Sequence, residues 1–377
     1  MNIEIGKKIK QKEGYLAFIP SPFPPKGIFE ISQKTLIKVA KANRLLGKLD
    51  GTTIESALPD LDFFLKMFVA KDATSSAQIE GTKATIIDAL EKDAGISVGD
   101  TDADDILYYI KALNYGIDRL KSFPLSLRLI REIHKELMAG ARATHFSNPG
   151  EFRKTQNWIG GTRPDNAHFV PPSVDEMNRA LDDFEKFLHE EDEVLLLLHI
   201  GIMHAQFETI HPFLDGNGRT GRLLITLLLC HRNLLENPVL FLSSYFKKHQ
   251  KVYYQKLDDY HNGDIESWID FFLDGVIEIA EESIKITSQI RQLRDIDMLK
   301  IQALAKRESE SGVLVLQKLF SSPIINTKKI MDWTGFTRAG VQKVIDRFIK
   351  LGILHAQGEG KYGKSYTYKE YINIFLK

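Results

Sequence analysis

The sequence predicts a mainly α-helical protein with one small β-hairpin in mid-chain and a separate basic unit at the C-terminal end. Three observations predict it. Apolar residues recur at three- and four-residue spacing through most of the first 290 positions. That texture breaks near Glu151, where two short β-prone runs flank a turn rich in Gly, Pro, Asp and Asn. The charge then changes sign: residues 313–377 carry eleven Lys/Arg against four Asp/Glu, a net of +7. The whole chain has 50 basic and 50 acidic residues, so its zero net charge is a −7 body cancelling a +7 end. At 377 residues the chain exceeds what one hydrophobic core usually supports, which points to more than one unit. A hydrophobic share of 43% and a charged share of 27% exclude a disordered or collagen-like chain.

Taken in order, the first segment holds a Pro-rich stretch, residues 20–25, expected to be extended or irregular. Helical periodicity begins near Ile31 and continues through 63–70. Residues 88–105 hold seven carboxylates against one lysine, Lys92, and read as a solvated loop between helices. Residues 106–120 and 127–138 read as amphipathic helices. The hairpin is expected over 157–172, with residues 162–168 as its polar turn. Helical spacing returns at 174–188, 194–210, 221–233 and 265–290, and a charge-mixed helical linker is expected over 291–312. The lone cysteine, Cys230, excludes an intrachain disulfide and a cysteine zinc site, and it reads as a small buried apolar group suited to a reducing compartment. The N-terminus lacks a secretory pattern, and the most apolar stretches, 194–205 and 223–230, are shorter than a membrane span. A cytoplasmic location without membrane contact is the expectation.

The most informative segment is His211-Pro212-Phe213-Leu214-Asp215-Gly216-Asn217-Gly218-Arg219-Thr220-Gly221-Arg222. Pro212 stops the preceding helix, and the next begins near Arg219. Gly216-Asn217-Gly218 can turn successive N–H groups into one concavity at a helix N-terminus, which favours anions and phosphates above all. Arg219 and Arg222 are three apart and share a helix face. A carboxylate, Asp215, beside phosphate-binding groups makes sense when a cation bridges them, and Mg²⁺ is the natural candidate. His211 can act as a general base near neutral pH. Together these parts describe a nucleoside triphosphate held for attack by a hydroxyl. No Walker pattern is present, so a P-loop NTPase is excluded. His199, His204, Glu208 and His211 lack the His-Glu-x-x-His order of a zinc site, and His199 and His204 read as core residues or as supports behind the site.

These twelve residues resemble the motif of the Fic family, His-Pro-Phe-x-Asp/Glu-Gly-Asn-Gly-Arg-x-x-Arg, without a departure. The resemblance implies a Fic-type helical core that transfers AMP from ATP to a Ser, Thr or Tyr hydroxyl of a target protein or of itself. It implies His211 as base and Asp215 as the Mg²⁺ ligand. Nucleotide contacts would come from Gly216, Asn217, Gly218, Arg219, Gly221 and Arg222, with Tyr245, Tyr253 and Tyr254 in the region of the adenine pocket. The hairpin resembles the family's flap, in which Trp158, Ile159, Gly160, Phe169 and Val170 would bind target by strand addition. Residues 76–81, with Ser76, Glu80 and Gly81, resemble the family's inhibitory motif. They read as a short helix with Thr74 or Ser75 as N-cap. Glu80 would pair with Arg222 where a γ-phosphate should lie, and the resemblance allows removal of AMP as a second activity.

Residues 326–354 read as helix, turn, helix, followed by an extended run, a Gly/Lys turn at 358–364 and a returning strand at 365–371. This resembles a winged helix, in which Arg338, Lys343, Arg347, Lys361 and Lys364 suit DNA phosphates, with a protein contact as the other use. The expected organisation is residues 1–124 as an N-terminal helical region with the inhibitory segment, 125–290 as the catalytic core, 291–312 as linker and 313–377 as winged helix. A winged-helix regulator with a sensing Fic domain, and transfer of a different nucleotide, are the alternatives. Homodimerisation stays open at this stage.

Overall fold

The computed structural model describes residues 3–55, 61–96, 101–140, 148–190, 195–357 and 364–376. The chain opens with an antiparallel hairpin, β1 (Gly6–Lys10) and β2 (Leu16–Pro20), pairing Gly6 with Pro20 and Lys10 with Leu16. Sequence reasoning missed it, because neither strand alternates: β1 is exposed along almost its whole length, and β2 buries the adjacent residues Ala17 and Phe18. The Phe18 N–H donates to the Val170 carbonyl at 2.8 Å, tying this hairpin to the mid-chain flap.

Five helices follow: α1 (Gln33–Glu55), α2 (Leu61–Ile79), α3 (Ile86–Asp93), α4 (Thr101–Leu120) and α5 (Leu127–Met138). Residues 97–100 of the acidic segment lie outside the described residues, and most of the rest of it belongs to α3 and α4 and not to the expected solvated loop. Its carboxylates have structural work: Asp88 closes a capping box with Thr85, Asp93 pairs with Lys66 at 2.9 Å, and Asp104 pairs with Lys92 at 2.8 Å. Asp105 is buried. Carboxylates crowd helix N-termini because they satisfy the free N–H groups there and meet the positive end of the dipole.

Next come α6 (Val174–Leu188), α7 (Leu196–Ile210), α8 (Asn217–His231), α9 (Ser243–Lys248), α10 (Gln250–His261) and the long α11 (Ile265–Gln302). Every residue of α7 from Leu197 to Ile210 is buried, so this helix is apolar on all sides and lies at the centre. It packs against α6, α8, α10 and α11, with α1 along the outer length of α11. His199 stacks on Phe187 with centroids 4.0 Å apart, and His204 bonds the Tyr253 hydroxyl at 2.9 Å. Burial pushes the Cys230 thiol up to about 12. Sequence reasoning passed over α9 and α10, which are short and carry mixed polar faces. No helix among the described residues is long and apolar enough to cross a membrane.

The C-terminal unit comprises α12 (Lys306–Leu319), β3 (Ile324–Asn326), α13 (Thr327–Thr334), α14 (Arg338–Lys350), β4 (His355–Gln357), β5 (Ser365–Thr367) and α15 (Lys369–Leu376). Its three strands form an antiparallel sheet in the order β3-β5-β4. Thr337 caps α14, which buries Val341, Val344, Ile345 and Phe348 at helical spacing. The returning strand ends at Thr367, earlier than expected. From Tyr368 onward the buried residues Tyr371, Ile372 and Phe375 follow helical spacing instead. Most of the expected Gly/Lys turn, with Lys361, lies outside the described residues. α11 runs to Gln302 without a break at 290, and the Tyr368 hydroxyl donates to Asp297 on it at 2.6 Å. Phe375 packs edge-on against Phe68 of α2 at 5.2 Å, and the Asn326 amide donates to the Ala94 carbonyl at 3.2 Å. The basic unit is thus packed against the helices at the N-terminal side.

Candidate active site

The loop between α7 and α8 is shaped by its own sequence. His211 sits in the left-handed region, φ 49° and ψ 59°, as the cap of α7, and Pro212 prevents the helix from continuing. Asn217 then closes the loop on itself. Its Oδ1 accepts from the Phe213 N–H and its Nδ2 donates to the Phe213 carbonyl, both at 2.8 Å. The side chain of Asn217 therefore holds the loop, and main chain faces the cavity. Gly216 has φ +77°, and a Cβ there would stand 2.7 Å from Met138 Sδ, so both backbone and space require glycine.

Residues distant in sequence brace this loop, and sequence reasoning did not find them. His134 on α5 accepts from the Gly150 N–H at Nδ1 (2.9 Å), so Nε2 carries the proton and donates to the Asp215 carbonyl at 2.9 Å. Its ring stacks on Phe213 at 3.7 Å, and burial lowers its pKa to about 4, keeping it neutral. Asn157 donates to the carbonyls of Phe213 (2.8 Å) and His211 (3.3 Å). Arg153, 2% exposed, donates to the carbonyls of His211 (3.0 Å), Thr155 (3.3 Å) and Pro172 (2.5 Å). It clamps both ends of the flap to the residue before Pro212. Arg153→Met leaves these buried carbonyls short of a donor, and a loss of about 2–4 kcal/mol in unfolding free energy is expected from denaturant titration.

Beside the loop lies a cavity of about 710 Å³. It gathers most of the residues singled out from sequence. Glu80, His211, Asp215, the main chain of 216–218, Arg222, Tyr253 and Tyr254 line it, as do Trp158, Ile159, Gly160 and Phe169 of the flap. The flap is less regular than a hairpin. A single bridge, Ile159 with Phe169, holds it around a 3₁₀ turn at Pro164–Asn166. Val170 lies off the cavity, with its carbonyl bonded to Phe18.

Three expected nucleotide contacts lie elsewhere. Arg219 is drawn away from the cavity, its guanidinium 3.5 Å from Met138 Sδ, 3.8 Å from Asp105 and 3.7 Å from Asp215. Sharing a helix face does not bring the two arginines to one pocket, because each extends to a different anchor. Gly221 serves packing: a Cβ there would be 2.6 Å from Glu208 Oε1. Tyr245 packs on Phe271 at 5.0 Å and borders a separate cleft beside α11.

His211 Nδ1 faces the Glu208 carbonyl at 3.3 Å, so the proton resides there and Nε2 is free to accept one. Burial lowers its pKa to about 4, and the Arg153 charge adds to this against the raising effect of the Glu208 carbonyl. His211 is neutral at physiological pH, as a base must be. Asp215 accepts the Gly216 N–H at 2.6 Å through Oδ1, and its side chain is 42% exposed. One hard carboxylate at the edge of the cavity fits Mg²⁺, which takes few protein ligands when phosphate oxygens complete its shell. Among the described residues no group of three or more His, Cys, Asp or Glu could hold an ion by itself.

Ser76 to Ile79 form the last turn of α2 and not a separate short helix. Thr74 is no N-cap, since its hydroxyl bonds back to the Ala70 carbonyl at 2.7 Å. Gly81, at φ +92°, ends the helix and lets Glu80 turn toward α8. Arg222 is held from this side by three groups: Ser76 Oγ (2.9 Å), the Ser76 carbonyl (3.1 Å) and Glu80 Oε1 (2.7 Å). Partial burial alone would raise the Glu80 carboxyl, but Arg222, with Arg219 behind it, holds it below its ordinary value. The same carboxylate covers Gly218, where a Cβ would stand 2.4 Å from Oε1.

Known families match both halves of this geometry. The Fic/DOC family model matches residues 124–229, which contain the whole loop, and the Fic/DOC family N-terminal model matches residues 36–118. The chain belongs to the Fic/DOC family. Curated relatives include the protein adenylyltransferase Fic of Drosophila grimshawi, 29% identical over 197 residues, which are 52% of this chain and 36% of that protein. The enzyme of the same name from Culex quinquefasciatus is 31% identical over 152 residues, 40% of this chain and 27% of the relative. The chain thus matches well under half the length of either. Among solved structures, a Fic family protein from Desulfovibrio desulfuricans G20 superposes with a TM-score of 0.57 at 17% identity, covering 90% of this chain and 96% of the other. A Fic-domain signaling protein from Bacteroides thetaiotaomicron gives 0.53 at 21% identity, covering 65% and 97%. At these identities the two structures speak for the fold alone.

Proposed function

We propose that this Fic protein transfers AMP from ATP to hydroxyl groups of a target protein and of itself, and that Glu80 restrains it. The observation that carries the reading is the convergence on one cavity of neutral His211, Asp215, the 216–218 main chain and an Arg222 already bound by Glu80. The adenylyltransferase names of its relatives support it. In this reading the main-chain N–H groups at the start of α8 bind phosphate oxygens, where the helix dipole also favours anions. His211 Nε2 takes the proton of the incoming hydroxyl as its oxygen bonds to the α-phosphorus and pyrophosphate departs. A Mg²⁺ ion on Asp215 would offset phosphate charge. Trp158, Ile159, Gly160 and Phe169 present the flap on which an extended target segment pairs by main-chain bonds. Tyr253 and Tyr254, which line the same cavity, would offer their rings to the base. Incubation with labelled ATP, scored as label on the protein itself, tests the reading, with His211→Ala as the control.

The C-terminal unit we read as a winged helix that docks on a nucleic-acid duplex. The specific support is the N-terminal half of α14, where Arg338, Gln342 and Lys343 are exposed to solvent. Arg347 is excluded from that role by its ion pair with Glu308. With two phosphates neutralised, by Arg338 and Lys343, affinity for duplex DNA should fall about 12-fold between 50 and 200 mM salt. A mobility-shift series checks this, and salt-independent or absent binding would leave a protein contact as the use of this face.

A further inference from the structure

Glu208 lines the cavity without a part in either the loop or the contact with α2. It lies one turn before His211 on α7, with its side chain 10% exposed. Its Oε1 has no hydrogen-bond partner among the described residues, a costly state for a buried polar atom. The fold nonetheless makes room for it: Gly221 leaves open the space in which a Cβ would come within 2.6 Å of this oxygen. The other oxygen, Oε2, stands 3.9 Å from His211 Nδ1, a shift of about 1 Å from a hydrogen bond. The present partner of Nδ1, the Glu208 carbonyl, is long at 3.3 Å.

We propose that Glu208 is a positioning residue for His211, whose carboxylate takes the Nδ1–H and holds the imidazolium formed when His211 accepts the target proton. The inference rests on the AMP-transfer reading. In that step the target oxygen bonds to the α-phosphorus, and the bond to pyrophosphate breaks, with its electron pair leaving on pyrophosphate. The hydroxyl proton moves to Nε2. The ring then carries a full positive charge in a water-poor site, and a carboxylate on its far nitrogen stabilises it more than a carbonyl does.

The charged and titratable groups around Glu208 are Arg222 from α8, Glu80 from the end of α2, Tyr253 from α10, and His204 and His211 of its own helix and cap. Arg222 is taken up by Glu80 and Ser76, and among the described residues it forms no ion pair with Glu208. Burial raises its carboxyl to about 7, with Arg222 acting against this and Glu80 adding to it. Only the ionised form can hold an imidazolium, so transfer should rise with pH as Glu208 ionises. In a Glu80→Gly protein the rise should fall at or below pH 7, because one of the groups raising the carboxyl is gone.

The test compares Glu80→Gly with Glu80→Gly/Glu208→Gln in self-labelling with ATP, beside ATP titration calorimetry and thermal melting. The glutamine variant should label about 10- to 100-fold more slowly, the loss expected when one hydrogen bond to a charged group is removed. Its ATP affinity should stay within about twofold, because the rate loss is confined to the transfer step. It should also lack the pH rise. Glu80→Gly/Glu208→Asp keeps the charge but draws it back by one methylene, and should keep the pH rise at an intermediate rate. Equal rates and pH profiles for parent and glutamine variant would overturn the proposal. So would a rate loss matched by weaker ATP binding or a lower melting point, or an aspartate variant as slow as the glutamine one. If Glu80→Gly labels no faster than Glu80→Gly/His211→Ala, the transfer reading itself fails and this inference falls with it.

Discussion

Glu80→Gly is expected to raise the rate of self-labelling with ATP by about 10- to 100-fold, since a hydrogen bond to a charged group contributes about 1.5–3 kcal/mol. Glu80 is 40% exposed on its side chain, which places the effect toward the lower end of that range. The change releases one of three contacts on Arg222 and leaves the two from Ser76, so the guanidinium stays in place. It also uncovers Gly218, where Glu80 lies across the start of α8. Two obstacles to a triphosphate are removed together: a carboxylate occupying the arginine, and a negative charge over the N–H groups that should receive phosphate. Equal labelling of the two proteins would show that this contact restrains nothing. Because Arg222 holds the Glu80 carboxyl below its ordinary value, the restraint is complete above that ordinary value. It weakens only as pH falls through the lowered one.

His211→Ala is expected to lower labelling by about 10²- to 10⁴-fold, the usual contribution of a positioned general base, both alone and combined with Glu80→Gly. Among the described residues the His211 side chain bonds the Glu208 carbonyl alone, while Arg153 and Asn157 reach the residue through its main chain. Removing the ring therefore spares the loop, and ATP affinity should persist while transfer is lost. Calorimetric binding with no label incorporated is the expected pair of results. Full labelling by the alanine variant would assign the proton to another group.

The loop was legible because it is local. Base, carboxylate, glycines and the two arginines stand within twelve consecutive residues, and each has a conformational or chemical reason to be there. The surrounding helices were legible as well, because burial on one face imposes a period that survives in the sequence. What escaped was held by groups that no period connects. The three carbonyls that Arg153 binds belong to residues 2, 19 and 58 positions away. His134 supports a loop 81 positions on. The first hairpin escaped for a different reason, since neither of its strands alternates in burial.

The sequence by itself determined the helical class of this protein, the chemistry available in its loop and the separation of an acidic body from a basic end. Tertiary structure decided which of those groups meet. It turned Arg222 toward the cavity and Arg219 toward Asp105, although both leave the same helix three residues apart. It placed Tyr253 and Tyr254 at the cavity and Tyr245 on another side. It brought Glu80 to 2.7 Å from an arginine 142 positions away. Periodicity and local chemistry state what a side chain can do. The direction it takes depends on which neighbour offers the better charge or contact, and only the packed chain contains that neighbour.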